Sequence, residues 1–446
     1  MRKRSRLFSL ILIFCIFLTS LIMFSSCSND LEPEIETGSM GLFYELNKDA
    51  KSYVLAGIGD CLDTEIVIHA KYNGKPVTEI KEDAFRDCKT ITGVTIGKEI
   101  KSIGNYAFYG TKIKEIVIPD NVVEIGDNAF ENCSSLEKAV IGNGVKEIIA
   151  NTFMNCSKLS QVELGNSLEK IGGTAFSKCS NLKTINLPST VTTIDSLAFS
   201  YSGLEEIVLP DSVVNIGSRA FLECVNLKTV NIGNEITAVQ SETFKNCYML
   251  ESVTIGKGVK TIQSSAFYGC NTLKTLKINA SIQEVKNSAF YGCISIQDVY
   301  ITDLDAWCKA FFYGSFANPL AYAQNFYVDG KLLTQLVVPE GVERLFDCVF
   351  SNYEKLTSVV LPVSMRAISE KAFEHCDNIT AVYYKGSQQQ WQEISFGNLY
   401  NKIADVTCYY YSQTEPALNL DGTAYDGNYW KYDQNQNPVV WVYENQ

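Results

Sequence analysis

From residue 80 onward the apolar residues recur every 22 or 23 positions, a period too long for one helix or one strand. One period starts at Ala175-Phe176, runs SKCSNLKTINLPSTVTTIDSL, and returns at Ala198-Phe199. Within it Ile185 and Leu187 alternate with polar neighbours, which predicts a short strand with one buried face. Pro188, or Gly142, Gly165, Gly233 and Gly256 at the same place in other periods, ends the strand, because neither residue continues a ladder well. Val191 and Ile194 form a second apolar pair, and the Phe ring of the Ala-Phe pair is expected to fill the interior of a coil.

The register is set by Phe85, Phe108, Phe130, Phe153, Phe176, Phe199, Phe221, Phe244, Phe267 and Phe290. After a gap of 60 residues it resumes at Phe350 and Phe373, making twelve units. The hexapeptide SAFYGC at 265–270 returns unchanged at 288–293. A single 23-residue coil has too little interior of its own, so each copy serves as the surface on which the next is laid.

The LxxVxIP…VxxIGxxAFxxC pattern resembles the BspA-like leucine-rich repeat proteins of bacterial and some protist cell surfaces, over roughly residues 40–446. The resemblance implies an α/β solenoid, right-handed, with a parallel β-sheet along one side. It also implies a binding protein or adhesin rather than an enzyme.

Two stretches depart from the period. VYITDLDAWCKAFFYGSFANPLAYAQNFYVDGKLLTQLVVP and VYYKGSQQQWQEISFGNLYNKIADVTCYYY share a Val-Tyr start, a tryptophan eight or nine residues later (Trp307, Trp391) and an aromatic finish. They read as enlarged coils, each with a helix and an inward tryptophan; a ligand pocket at Trp307 is the alternative. The resulting division is a signal peptide at 1–27, a tether at 28–39, an N-terminal cap at 40–79 and the solenoid at 80–411. The insertion coil spans about 297–335 and the second enlarged coil about 382–411. An aromatic hairpin occupies 412–446, either capping the solenoid or stacking on sugars.

The N-terminus gives the location. Arg2, Lys3, Arg4 and Arg6 precede an apolar run from Leu7 to Phe24, then Phe24-Ser25-Ser26-Cys27. A basic start, an apolar core and small residues before a cysteine make an export signal with a lipidation site at Cys27. An uncleaved membrane anchor is the other reading of the same run. Both place the remainder outside the cytoplasm, as a membrane-anchored lipoprotein or helix-anchored protein at the bacterial surface.

Composition narrows the chemistry. With 38 basic and 50 acidic side chains the net charge is −12, and no basic stripe exists to hold nucleic acid. The only histidines are His69 and His375, and there is no CxxC pair, so neither a metal site nor a His-assisted nucleophile is expected. No phosphate- or dinucleotide-binding fingerprint occurs, and no cofactor is expected.

Nine of the fifteen cysteines stand three residues after the repeat phenylalanine: Cys88, Cys133, Cys156, Cys179, Cys224, Cys247, Cys270, Cys293 and Cys376. Side chains repeated in one slot are parallel, a poor geometry for disulfides, so the column is expected to be reduced and to serve as small buried packing. Gly110 or Thr111, and Gly203, stand near the slot in two coils without a cysteine.

Any partner should meet the outward residues of the strands. Signs alternate along the first row (Lys183, Glu205, Lys228, Glu251, Lys274), so no single-sign field arises. The central row carries Glu163, Asn186, Asn231, Lys277 and Tyr300, with Tyr383 after the insertion. Tyr300 and Tyr383 are the expected aromatic anchors. A protein partner on this face is the leading expectation. Glycan binding by the tail and tryptophan coils, or a structural envelope role without soluble ligand, are the alternatives.

Overall fold

The computed structural model describes residues 38–397 and 402–444. Each coil contributes two parallel strands. The longer one, as in Glu115–Ile118, Lys138–Ile141 and Thr229–Ile232, turns alternate residues inward. Ile116 and Ile118 pair in register with Ala139 and Ile141 of the next coil, so like residues stack. The shorter strand, as in Lys170–Ile171 and Thr193–Ile194, forms a second parallel ladder from Val191-Ile194-type pairs. The helical share is small: two helices of six and five residues and three short 3-10 turns among the described residues.

The long-strand ladder thins at residues 184–209, where only the bridges Asn186↔Val208 and Glu206↔Thr229 remain. Proline removes one rung in these coils. In a neighbouring coil Gly142 donates its N–H to the Ile118 carbonyl at 2.8 Å. Pro188 and Pro210 occupy that place and have no N–H to give.

The third side is a turn built around Ala-Phe, and its hydrogen bonds alternate. Ala84, Arg86 and Cys88 donate to carbonyls of their own turn, whereas Asp83, Phe85 and Asp87 donate to Asn105, Ala107 and Tyr109 of the next coil. This alternation requires left-handed backbone at the residues two before and two after the phenylalanine. Asp83 and Asp87 lie at φ 61° and 56°, and Leu197 and Tyr201 at 61° and 58°. A non-glycine residue in that conformation costs about 1–2 kcal/mol. The inter-coil hydrogen bonds, at about 1 kcal/mol each, and the packing they allow offset the strain. The phenylalanines from Phe85 to Phe290 stack continuously, with centroids 5.2–5.5 Å apart.

The insertion ends one sheet and begins another. Asn325–Val328 pairs with Asp298–Ile301, then folds back through Asp329-Gly330 into the antiparallel strand Lys331–Leu332. A new ladder starts at Gln335–Val337 and continues through Ser358–Leu361 and Ala381–Tyr384. Side chains join the two arrays where backbone ladders stop. Trp307, in the helix Leu304–Lys309, donates its indole N–H to the Val349 carbonyl at 3.1 Å. Asn318 Nδ2 reaches the same carbonyl at 2.9 Å, and Tyr353 donates to the Leu333 carbonyl at 2.7 Å. Trp307 is 2% exposed and touches Phe312 and Phe326. Trp391 differs: the helix Gln388–Gln392 buries no residue fully, and its tryptophan is half-buried against Tyr384 and Phe396.

Both ends extend the sheets. Glu65–Val67 already pairs in parallel with Gly93–Thr95, and Tyr429–Tyr432 continues the last ladder before turning into Pro438–Val440. Cys27 and the apolar run lie outside the described residues.

Candidate binding face

The outward side chains of the long strands fall into two groups. The first is self-paired. Lys183 and Lys228 each approach Glu205 at 3.0 Å, Lys274 approaches Glu251 at 3.0 Å, and Lys138 approaches Glu163 at 2.8 Å. Hydrogen bonds from Lys228 and then Lys183 hold the Glu205 carboxyl below its usual range. The alternating signs are therefore matched between coils one strand apart, where like charges would repel. Glu163 is engaged in such a pair, and Asn186 and Asn231 are exposed among these charges.

The second group lies at the insertion. Tyr300 and Tyr327 are register partners on adjacent strands, and their rings stack at 4.6 Å with an angle of 9°. Lys277, the register partner of Tyr300 on the preceding strand, is exposed and makes no ion pair among the described residues. Tyr300 and Lys277, with Thr275, Asn279, Thr302, Asp329 and Gly330, line an open cleft of ≈ 460 Å³ beside this stack. Burial first, then the nearby Asp298 carboxylate, raises the Tyr300 hydroxyl above its ordinary value, so it stays a neutral donor. The cleft offers stacking, hydroxyl and amide hydrogen bonding and one cation.

Tyr383 occupies a different environment. Its ring lies 5.7 Å from Tyr409 and 5.5 Å from Trp430, and Trp430 is fully buried with its indole N–H on the Tyr384 carbonyl at 3.0 Å. The tail thus lays a tryptophan against Tyr383. Lys431 Nζ sits 3.4 Å from the centre of the Trp441 ring, whose N–H donates to the Ser412 carbonyl. These contacts engage the large tail rings with the chain itself.

The cysteine column has a hydrogen-bonding role that spacing did not reveal. Eight of the nine thiols, all but Cys88, donate to the carbonyl of the phenylalanine one coil earlier, among them Cys133 to Phe108 at 3.1 Å, Cys179 to Phe153 at 3.2 Å and Cys376 to Phe350 at 3.1 Å. Two of the three coils without cysteine fill the slot with Thr111 and Ser202 rather than glycine, both buried and both within 3.3 Å of the next thiol, and the third, after the insertion, holds the buried Tyr353 there. That hydroxyls substitute for thiols was the available signal. All thirteen cysteines among the described residues are unpaired, and Cys88, in the first Ala-Phe coil, is only half-buried. His375 stands in the left-handed slot of its turn and is exposed, whereas His69 is buried with Nδ1 2.9 Å from the Tyr44 hydroxyl. Among the described residues no group of His, Cys, Asp or Glu could hold a metal ion.

Sequence reasoning also passed over the turn side. Tyr268 and Tyr291, the tyrosines of the two SAFYGC copies, stack at 5.0 Å, and Phe316 meets Tyr291 edge-on at 5.0 Å. The same slot holds Ser177 and Ser200 in earlier coils. Because two of these rings face each other, they present edges rather than faces to solvent.

The BspA type leucine rich repeat region pattern matches residues 78–205, 193–318 and 322–412, in six copies. A leucine-rich repeat protein from Bacteroides ovatus is similar in structure, with 23% identity and a TM-score of 0.52, over 83% of this chain and 98% of that one. A leucine rich cell surface protein from Faecalibacterium prausnitzii aligns with 26% identity and a TM-score of 0.44, over 80% of this chain and 97% of that one. No curated protein matches the chain significantly. With the pattern covering most of its length and parallel ladders linking its coils, the chain belongs to the BspA type leucine-rich repeat family.

Proposed function

We propose that the chain is a surface-displayed binding protein, held by its N-terminus at the outer face of a membrane through lipid on Cys27, that takes a protein partner on the solenoid sheet at Tyr300 and Tyr327. The half-exposed aromatic stack carries this reading. The strands of this ladder pair in one register from Thr229 to Val328, so the repeat acts as its own control. The central-row position that holds Tyr300 and Tyr327 holds Asn231 and Thr254 in earlier coils, at equivalent register. The fold does not need the tyrosines there. Rigid aromatic rings beside a lysine and a rim of hydroxyls suit the anchor of a protein interface.

The test is a binding screen of the full chain against immobilised extracellular-matrix proteins and a glycan array. A protein hit weakened about tenfold or more by Tyr300→Ala and Tyr327→Ala supports the reading. A protein hit indifferent to both substitutions overturns the site. A glycan hit lost on deleting 412–446 replaces it with sugar recognition by the tail.

A further inference from the structure

The first layer of the solenoid exposes large apolar side chains that cover nothing among the described residues. Phe43–Leu46 is an edge strand, paired on one side only, with Tyr53–Gly57. The loop at 59–62 packs directly on the residues before this strand: the Asp60 N–H donates to the Gly41 carbonyl at 3.0 Å. Across this contact Leu42, Tyr44 and Cys61 turn inward and are buried. Met40, Phe43 and Leu62 project out, at 81%, 52% and 94% exposure. Three large side chains left in water on two touching loops are costly to solubility and form a patch in want of cover.

The sequence supplies the cover. Only the twelve residues 28–39 separate Cys27 from Met40. Fully extended they span at most about 45 Å, and a flexible chain of that length averages far less. We infer that this end of the solenoid rests on the bilayer that holds the N-terminus, with Met40, Phe43 and Leu62 inserted among the lipid headgroups. The docking rests on the membrane attachment proposed above. Its character is apolar: Leu62 is flanked by the exposed acids Asp60 and Asp63, and no basic cluster adjoins the patch among the described residues. Insertion therefore needs no anionic lipid and withstands salt, unlike docking through a polybasic surface.

The experiment uses the full chain reconstituted in phosphatidylcholine vesicles, with a benzophenone photoprobe introduced as Leu62→p-benzoylphenylalanine. Val208, exposed on the sheet face, carries the same probe as a control. Flotation first establishes whether the chain is on the vesicles. A floating chain with at least about fivefold more lipid adduct at 62 than at 208, unchanged in high salt, is the expected result. A floating chain whose residue 62 labels no lipid, or labels a second copy instead, overturns the docking and leaves the attachment intact. A chain that does not float overturns both.

Discussion

The thiol of Cys156 donates to the carbonyl of Phe130, 26 residues earlier, at 3.1 Å. The same carbonyl accepts the backbone N–H of Cys133 within its own turn. The thiol is thus a second donor to an already partnered oxygen, and the slot asks for a small group that can give a hydrogen.

Cys179→Ser should consequently be tolerated better than Cys179→Ala, since Thr111 and Ser202 already serve in equivalent slots. Alanine leaves a small void and removes the donor, a loss on the order of 1–2 kcal/mol. Urea unfolding of the two variants decides the matter. An alanine variant as stable as the serine one would reduce the slot to packing.

Burial pushes the thiols of Cys179, Cys224 and Cys270 up to about 12. In the unfolded chain they ionise near 8.5. Because the folded values are raised, their stabilising contribution is complete below about pH 8.5 and is lost as pH rises toward 12. A melting-temperature profile should be flat from neutrality to that point and then fall. Thiol reagents at pH 8 should label these residues only in denaturant.

Trp307→Phe keeps an aromatic ring but removes the N–H that meets the Val349 carbonyl. The expected loss is about 1–3 kcal/mol, felt at the joint rather than along the array. Hydrogen exchange should quicken in residues 344–353 and stay unchanged in coils near Phe153. Equal quickening throughout would mean that the arrays unfold as one.

Tyr383→Ala should destabilise rather than weaken recognition, because Tyr409 and Trp430 pack on its ring. A loss of about 2–4 kcal/mol, seen as early melting of 408–440 in exchange data, is expected. A variant of native stability with reduced partner binding would restore Tyr383 as an anchor.

Glu205→Gln breaks two exposed ion pairs and should leave the urea unfolding midpoint nearly unchanged. A larger loss in urea titration would give the charge row a structural weight that its solvent exposure argues against.

The period, the short strands and the buried Ala-Phe pairs were legible because each follows from residue type at fixed spacing. The left-handed turns were not. Glycine marks only three of them, Gly110, Gly269 and Gly292 after the phenylalanine; the slot before it holds residues such as Asp83, Thr174, Leu197 and Arg219, since inter-coil hydrogen bonds rather than local preference impose the conformation. The thiol donors escaped notice because cysteine passes for a small apolar residue. The contact of Trp430 with Tyr383 joins segments 47 residues apart outside any repeat, so no periodicity announced it. Tyr300 was legible as an anchor, but its stacking partner Tyr327 was hidden by a spacing of 27 residues instead of 23.

The two SAFYGC copies have a consequence at the level of the gene. Their Phe-to-Phe spacing is one coil, and backbone bonds join the two copies: Gly269 donates to Tyr291, Phe267 to Ala289. Recombination between the copies that removes residues 269–291 joins Tyr268 to Gly292 and rewrites the same six letters. Strands, stacked rings and thiol donors on either side of the junction then meet partners of the kind they already have. Such a lineage can lengthen or shorten the span between its N-terminal layer and its aromatic cleft one coil at a time, changing that distance while leaving the chemistry of the cleft as it was.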